Sequence, residues 1–180
     1  LMVRAIEALD AVPLRGITEA RDPFVSPDGR WIGFFTGTEL RKVAIAGGPP
    51  VTLCPVVGVS RGASWGPDDT IVFATIDATT GLFRVAAAGG TPTVLTRPDT
   101  AHGEEDHLFP SVLPNGRAVL YTITSSSRGI EAAQVAVLDL TTGHTTTLIR
   151  GGSQAEYVAP GALVYAVAGT LRAVRFDLNT

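Results

Sequence analysis

Short apolar runs, rich in β-branched and aromatic residues, alternate along the chain with Gly, Pro, Asp and Asn, and few of them are long enough to make a helix. The runs Trp31 to Phe35, Ile71 to Ala74, Ala118 to Ile123 and Leu163 to Val167 read as strands buried on both faces. A further strand is predicted after each, at Leu40 to Ala44, Leu82 to Ala86, Gln134 to Leu138 and Leu171 to Val174, where Arg or Gln interrupts the apolar residues. Gly47-Gly48, Gly89-Gly90 and Thr142-Gly143 then turn the chain into Val51 to Leu53, Thr93 to Leu95 and Thr145 to Leu148. The one helical candidate, Ala5 to Val12, places Ile6 and Leu9 three apart before Pro13. By analogy with the rest of the chain, Met2 to Ala5 and Val12 to Leu14 are instead read as two strands.

These elements repeat. Phe24-Val25-Ser26-Pro27-Asp28-Gly29-Arg30-Trp31 has counterparts in Ser64-Trp65-Gly66-Pro67-Asp68-Asp69-Thr70-Ile71, in Val112-Leu113-Pro114-Asn115-Gly116-Arg117-Ala118 and, shortened, in Val158-Ala159-Pro160-Gly161-Ala162. In each, Pro presets φ and Gly or Asn tolerates a positive φ, as a tight reversal requires. The prolines at 27, 67, 114 and 160 are 40, 47 and 46 residues apart, a mean near 44, which suits a four-stranded propeller blade. The fold class expected is therefore all-β: a β-propeller of four-stranded blades, about four per chain, entered in mid-blade with two strands and left after three. The repeats are expected at 1–16 (partial), 17–56, 57–98, 107–151 and 152–180 (partial), with no linker between domains. An open propeller exposes sheet edges and blade flanks. Self-association is the expected remedy, the terminal strands sharing a blade within one four-bladed ring or across a homodimer of about eight blades.

Composition narrows the function. With 14 basic and 17 acidic residues the chain carries a formal charge of −3, which offers no field for a phosphate backbone and argues against a nucleic-acid partner. Val43 to Ser60 is the longest uncharged stretch tested, and Gly47, Gly48, Pro49, Pro50 and Pro55 within it exclude a membrane helix, so no membrane insertion is expected. The start of the chain shows no signal-peptide pattern. Cys54 is the only cysteine and Lys42 the only lysine, so an internal disulfide and a cysteine metal cage are excluded.

Three features carry candidate chemistry. Gly58-Val59-Ser60-Arg61-Gly62 matches the Gly-x-Ser-x-Gly nucleophile elbow, but a short strand and turn follow it where that elbow needs a helix. The densest polar cluster, His102, Glu104, Glu105, Asp106 and His107, offers two imidazoles and three carboxylates, donors suited to a divalent metal. It carries no zinc or calcium signature, and it is read as a loop at the face of the ring. Arg41, Arg84 and Arg172 are assigned one place on the third strand of their repeats, where they form either a solvated column or a stripe for an anion or a partner. Asp28, Asp68 and Asn115 are read as turn formers, and Trp31, Trp65, Phe73, Phe83, Phe109, Tyr121, Tyr157 and Tyr165 as core between blades.

Ser26-Pro27-Asp28-Gly29 and its variants resemble the TolB-type, WD-repeat-like propellers over nearly the whole chain. Pro23 to Phe35, Gly62 to Asp68 and Leu113 to Gly116 are most similar to propellers attached C-terminally to bacterial serine/threonine kinases. The resemblance implies a sensor or scaffold outside a catalytic core and, weakly, an extracytoplasmic location. It also places Glu104 and His107 at positions of a Gly-Glu-x-x-His segment found there before the Pro. Asp69, Asn115 and the aspartate-free fourth turn depart from the motif, which puts per-blade ligand or metal sites in question. No Gly-rich loop, His-Arg-Asp or Asp-Phe-Gly of a kinase core is present. The function expected is a noncatalytic binding or interaction module with a protein partner or a second copy; its small-molecule ligand is not specified and no cofactor is required. The alternatives are a hydrolase or lyase with a divalent metal on the polar cluster, and the gating propeller of a peptidase.

Overall fold

A computed structural model describes residues 1–77, 79–125 and 132–178. The expected turns form as their chemistry requires. Asp28 Oδ1 accepts the Arg30 N–H at 3.0 Å, Asp68 Oδ1 the Thr70 N–H at 3.3 Å, and Asn115 Oδ1 the Arg117 N–H at 3.0 Å. Each reversal joins the first two strands of an antiparallel sheet. Three sheets have four strands each in chain order: β3 (Arg21–Val25) to β6 (Val51–Pro55) through β4 (Trp31–Phe35) and β5 (Glu39–Ala44); β7 (Ser60–Trp65) to β10 (Thr93–Val94) through β8 (Thr70–Thr75) and β9 (Leu82–Ala86); and β11 (Glu104–Val112) to β14 (Thr145–Arg150) through β12 (Ala118–Ser125) and β13 (Gln134–Asp139). A two-stranded sheet, β1 (Met2–Val3) with β2 (Val12–Pro13), precedes them, and β15 (Ser153–Val158), β16 (Ala162–Val167) and β17 (Thr170–Arg175) follow as a sheet of three. Residues 5–11 make turns and bends, so the strand reading of the N-terminus holds over the helical one.

Because both faces of each second strand are apolar, each sheet covers its neighbour. Phe34 and Ile32 pack toward the first sheet with Leu14 and Val3, while Phe35 on the opposite face meets Phe73 of the next sheet. Val72 and Ala74 meet Val119 and Tyr121, and Leu120 meets Leu163. These are the flanks of propeller blades in an arc. The first strands β3, β7, β11 and β15 stand side by side along its inner edge.

Each inner strand carries a bulge with one left-handed residue: Asp22 (φ 44°), Gly62 (φ 94°), Phe109 (φ 53°) and Gln154 (φ 50°). The bulges press neighbouring blades together. Asp22 accepts the Ser60 hydroxyl, the Gln154 N–H donates to Thr122 Oγ1 at 2.9 Å, and a Cβ on Gly62 would lie 3.2 Å from the Phe109 Cα. Ser64 Oγ accepts the Val112 N–H at 2.9 Å, and Ser111 Oγ donates to Glu156 Oε2 at 2.6 Å. Lys42 has a similar task. Its ammonium donates to the Ala87 carbonyl at 2.8 Å while lying 4.5 Å from the Trp31 ring centre and 5.9 Å from that of Trp65, so the single lysine clamps the second sheet to the third.

Three expectations need correction. The third full repeat starts at Glu104, before the boundary at residue 107, because its inner strand extends N-terminally beyond Pro110. The arginines do not share one place: Arg41 stands opposite Phe34 and Arg172 opposite Tyr165, at matching registers, whereas Arg84 stands opposite Val72 and points to the other flank. The cause lies in the third strands themselves: Leu40, Leu82 and Leu171 stand opposite Phe35, Ala74 and Ala166, and the residues that follow these leucines are Arg41, Phe83 and Arg172, so Arg84 comes one position later. The shared terminal blade also fails in its simple form. In every complete sheet the strand just before an inner strand holds the fourth place, so β2 is a fourth strand and β1 a third, yet β17 already fills the third place of the last sheet.

Candidate functional site

The polar cluster divides into separate environments. His102 ends a 3-10 turn, Thr100–His102, at the surface, and its Nδ1 lies 2.6 Å from Asp99 Oδ2, a hydrogen bond that raises the imidazole pKa. Glu105 is exposed on β11. Asp106 and His107 are buried there, although the sequence places them on a loop; strand geometry sends adjacent side chains to opposite faces. Among the described residues no three His, Cys, Asp or Glu side chains converge as metal ligands.

His107 is the centre of an ordered chain of hydrogen bonds. Thr96 Oγ1 accepts the Leu82 N–H at 2.9 Å and lies 2.8 Å from His107 Nδ1, so its proton points to the imidazole. His107 Nε2 then carries the ring proton and donates to Glu104 Oε2 at 3.0 Å, which also accepts the Asp99 N–H at 2.7 Å. Burial lowers the His107 pKa, in keeping with this neutral tautomer, and the ring tilts against Tyr121 at 4.9 Å. Gly81 makes the room, since a Cβ there would lie 2.6 Å from His107 Nδ1. The chain ties the connection between the third and fourth sheets to the inner strand β11. It also forms one wall of a pocket of about 310 Å³ to which Arg97, Tyr121 and Thr145 contribute. Thr96 and Tyr121 were not among the site residues singled out in the sequence; no local motif marks a Thr that meets a His across two sheets.

Asp106 turns away from this pocket. Its Oδ1 accepts the His107 N–H at 2.8 Å, and burial pushes the carboxyl up to about 6, against the opposing pull of that N–H and of Arg61 and with the repulsion of Glu105 and Asp77. A carboxyl whose folded pKa is raised contributes stability that is present below its unfolded value of about 3.8 and is lost as pH rises through about 6. Asp106→Asn keeps the acceptor without the charge. Thermal unfolding is therefore expected to show the variant about 1–3 kcal/mol more stable than the parent above pH 6 and equal to it near pH 3.5.

The remaining candidates are engaged structurally. Ser60 begins β7 and gives its proton to Asp22, so the elbow-like motif runs into a strand where a nucleophile elbow needs a helix. Burial pushes the Cys54 thiol up to about 11. Arg84 pairs with Asp68 at 3.2 Å; the Arg41 Nε is buried 3.6 Å from Glu39 Oε2 with no hydrogen-bond partner, and Arg172 is exposed. Phe109 sits half-buried on its bulge, while the other seven aromatic residues read as core belong to or pack against the apolar clusters.

Neither a family model nor a curated protein matches the chain. Solved structures do. The putative TolB from Agrobacterium tumefaciens superposes with a TM-score of 0.69 at 17% identity, over 87% of this chain and 58% of that one. Regucalcin, a calcium-binding protein from the same organism, gives 0.62 at 16% identity over 88% and 54%, and a gluconolactonase from Xanthomonas campestris gives 0.67 at 14% over 93% and 62%. This chain thus spans less than two thirds of each of these proteins. At such identities the likeness speaks for architecture alone: the chain has a β-propeller fold, as an arc of about four blades.

Proposed function

We propose that the chain serves as a noncatalytic propeller module that binds a ligand or partner. The observation that carries this reading is the hydrogen-bond economy of its reactive groups: His107 has both ring nitrogens occupied, His102 is paired with Asp99, and Ser60 donates to a carboxylate. Thr96, His107 and Glu104 do stand in the order of nucleophile, base and orienting acid. Yet the Thr96 oxygen already accepts the Leu82 N–H, which draws electron density from it, and the imidazole is buried within the wall. What these groups provide is a hydrogen-bonded wall for a pocket between blades, a place where binding proteins commonly hold ligands.

Assays of p-nitrophenyl ester hydrolysis test the reading. The parent chain and Thr96→Ala are expected to turn over equally, at the rate of the buffer. Turnover that depends on Thr96 and on His107 would replace the binding module by a hydrolase. A self-associated form is the second reading, favoured by the last strand β17, which is exposed along its whole length. Light scattering separates the two, because a monomer of 18.7 kDa has no partner copy.

A further inference from the structure

The pocket walled by Glu104, Tyr121 and Thr145 holds a carboxylate with one oxygen outside the hydrogen bonds that fix it. Glu104 Oε2 receives the Asp99 N–H and the proton of a neutral imidazole, which leaves the Oε1 oxygen outside both bonds. The Tyr121 hydroxyl donates to Thr145 Oγ1 at 3.2 Å, so lone pairs on both hydroxyl oxygens stay on offer. Glu104, Tyr121 and Thr145 therefore bring a carboxylate and two hydroxyls to one pocket, which Leu95 and Leu138 also line. Three acceptors with a negative charge match the three N–H donors of a primary ammonium, and the leucines match an alkyl stem.

The opposite charge is also present. Arg97 lines the same pocket, held by a hydrogen bond from Nη1 to the Thr79 carbonyl at 2.7 Å and drawn on its outer side by the Asp77 carboxylate, and the rest of its guanidinium is outside that hydrogen bond. A guanidinium disfavours a second ammonium and favours a carboxylate. We propose that this pocket binds a small zwitterion of amino-acid size, its ammonium on Glu104, Tyr121 and Thr145 and its carboxylate on Arg97. The volume of about 310 Å³ sets the limit on size, at the lower end of ligand sites. The proposal names the ligand class for the binding module proposed above and rests on that reading.

Titration of the 180-residue chain with δ-aminovalerate, n-pentylamine, pentanol and valerate, followed by the NMR shifts of Thr145 and Tyr121, tests it. δ-Aminovalerate is expected to bind with a dissociation constant of about 1 mM, n-pentylamine about threefold more weakly, and pentanol and valerate at least about tenfold more weakly. Glu104→Gln keeps the acceptor for His107 and Asp99, so its melting temperature should match the parent's while δ-aminovalerate binding falls about tenfold or more. Arg97→Ala should abolish the preference for δ-aminovalerate over n-pentylamine. Equal binding of pentanol and n-pentylamine, an affinity indifferent to Glu104→Gln, or no shift with δ-aminovalerate overturns the proposal. None of these results touches the noncatalytic reading, which stands or falls on the ester assay.

Discussion

Phe73→Ala is expected to lower the unfolding free energy by about 3–5 kcal/mol, a large part of what a domain of this size has. Phe73 is 2% exposed at the centre of β8. Its ring stacks on Phe83 at 5.2 Å and tilts toward Phe35 of the preceding sheet at 6.0 Å, so truncation leaves a cavity between two blades rather than inside one. Neither sheet can close on that cavity without moving the bulges and the Lys42 clamp that set the spacing between them. Urea unfolding measures the loss. A change under about 1 kcal/mol, the range of surface substitutions, would show that the two flanks do not bear on each other.

Gly33→Val should cost about 3 kcal/mol for the opposite reason, overpacking. Gly33 stands across from Phe24 in the β3–β4 register, and the Phe24 ring lies over it: a Cβ would sit 2.2 Å from the ring's Cζ. The ring has nowhere to go, because Phe35 and Trp65 hold it at 6.4 and 6.2 Å. A double-mutant cycle with Phe24→Ala is expected to show the valine harmless or favourable once the ring is gone. If valine costs as much without Phe24 as with it, the clash is not the cause.

What could be read in the sequence is what short-range chemistry decides. The Pro-Asp-Gly and Pro-Asn-Gly reversals depend on residues two or three apart, and Asp28, Asp68 and Asn115 close their turns as their side chains dictate. Trp31–Phe35 and Leu82–Ala86 have the bounds their composition suggests. Register is a different matter. The over-stacked Gly33, the bulges at Asp22, Phe109 and Gln154, and the misplacement of Arg84 all follow from which residue faces which across a ladder, and an offset of one residue along a strand changes that pairing without changing the motif.

The candidate site was half legible. Glu104 and His107 stood out as a polar pair, but five consecutive polar or small residues from His102 to Asp106 read as a loop, and only the ladder to β12 turns that run into a strand that buries Asp106 and His107. Their partners Thr96 and Tyr121 lie 11 and 14 residues away along the chain, on other strands or connections, and nothing in their own neighbourhoods announces the meeting. The Lys42 clamp between Trp31 and Trp65 was hidden for the same reason.

The account depends on successive sheets covering one another flank to flank around an inner row of strands. Nuclear Overhauser effects between side chains of adjacent sheets test this most directly. Cross-peaks are expected between the Phe35 and Phe73 rings, between Val72 and Val119, and between Leu120 and Leu163. A spectrum with the cross-strand contacts inside each sheet but none of these three between sheets would contradict it.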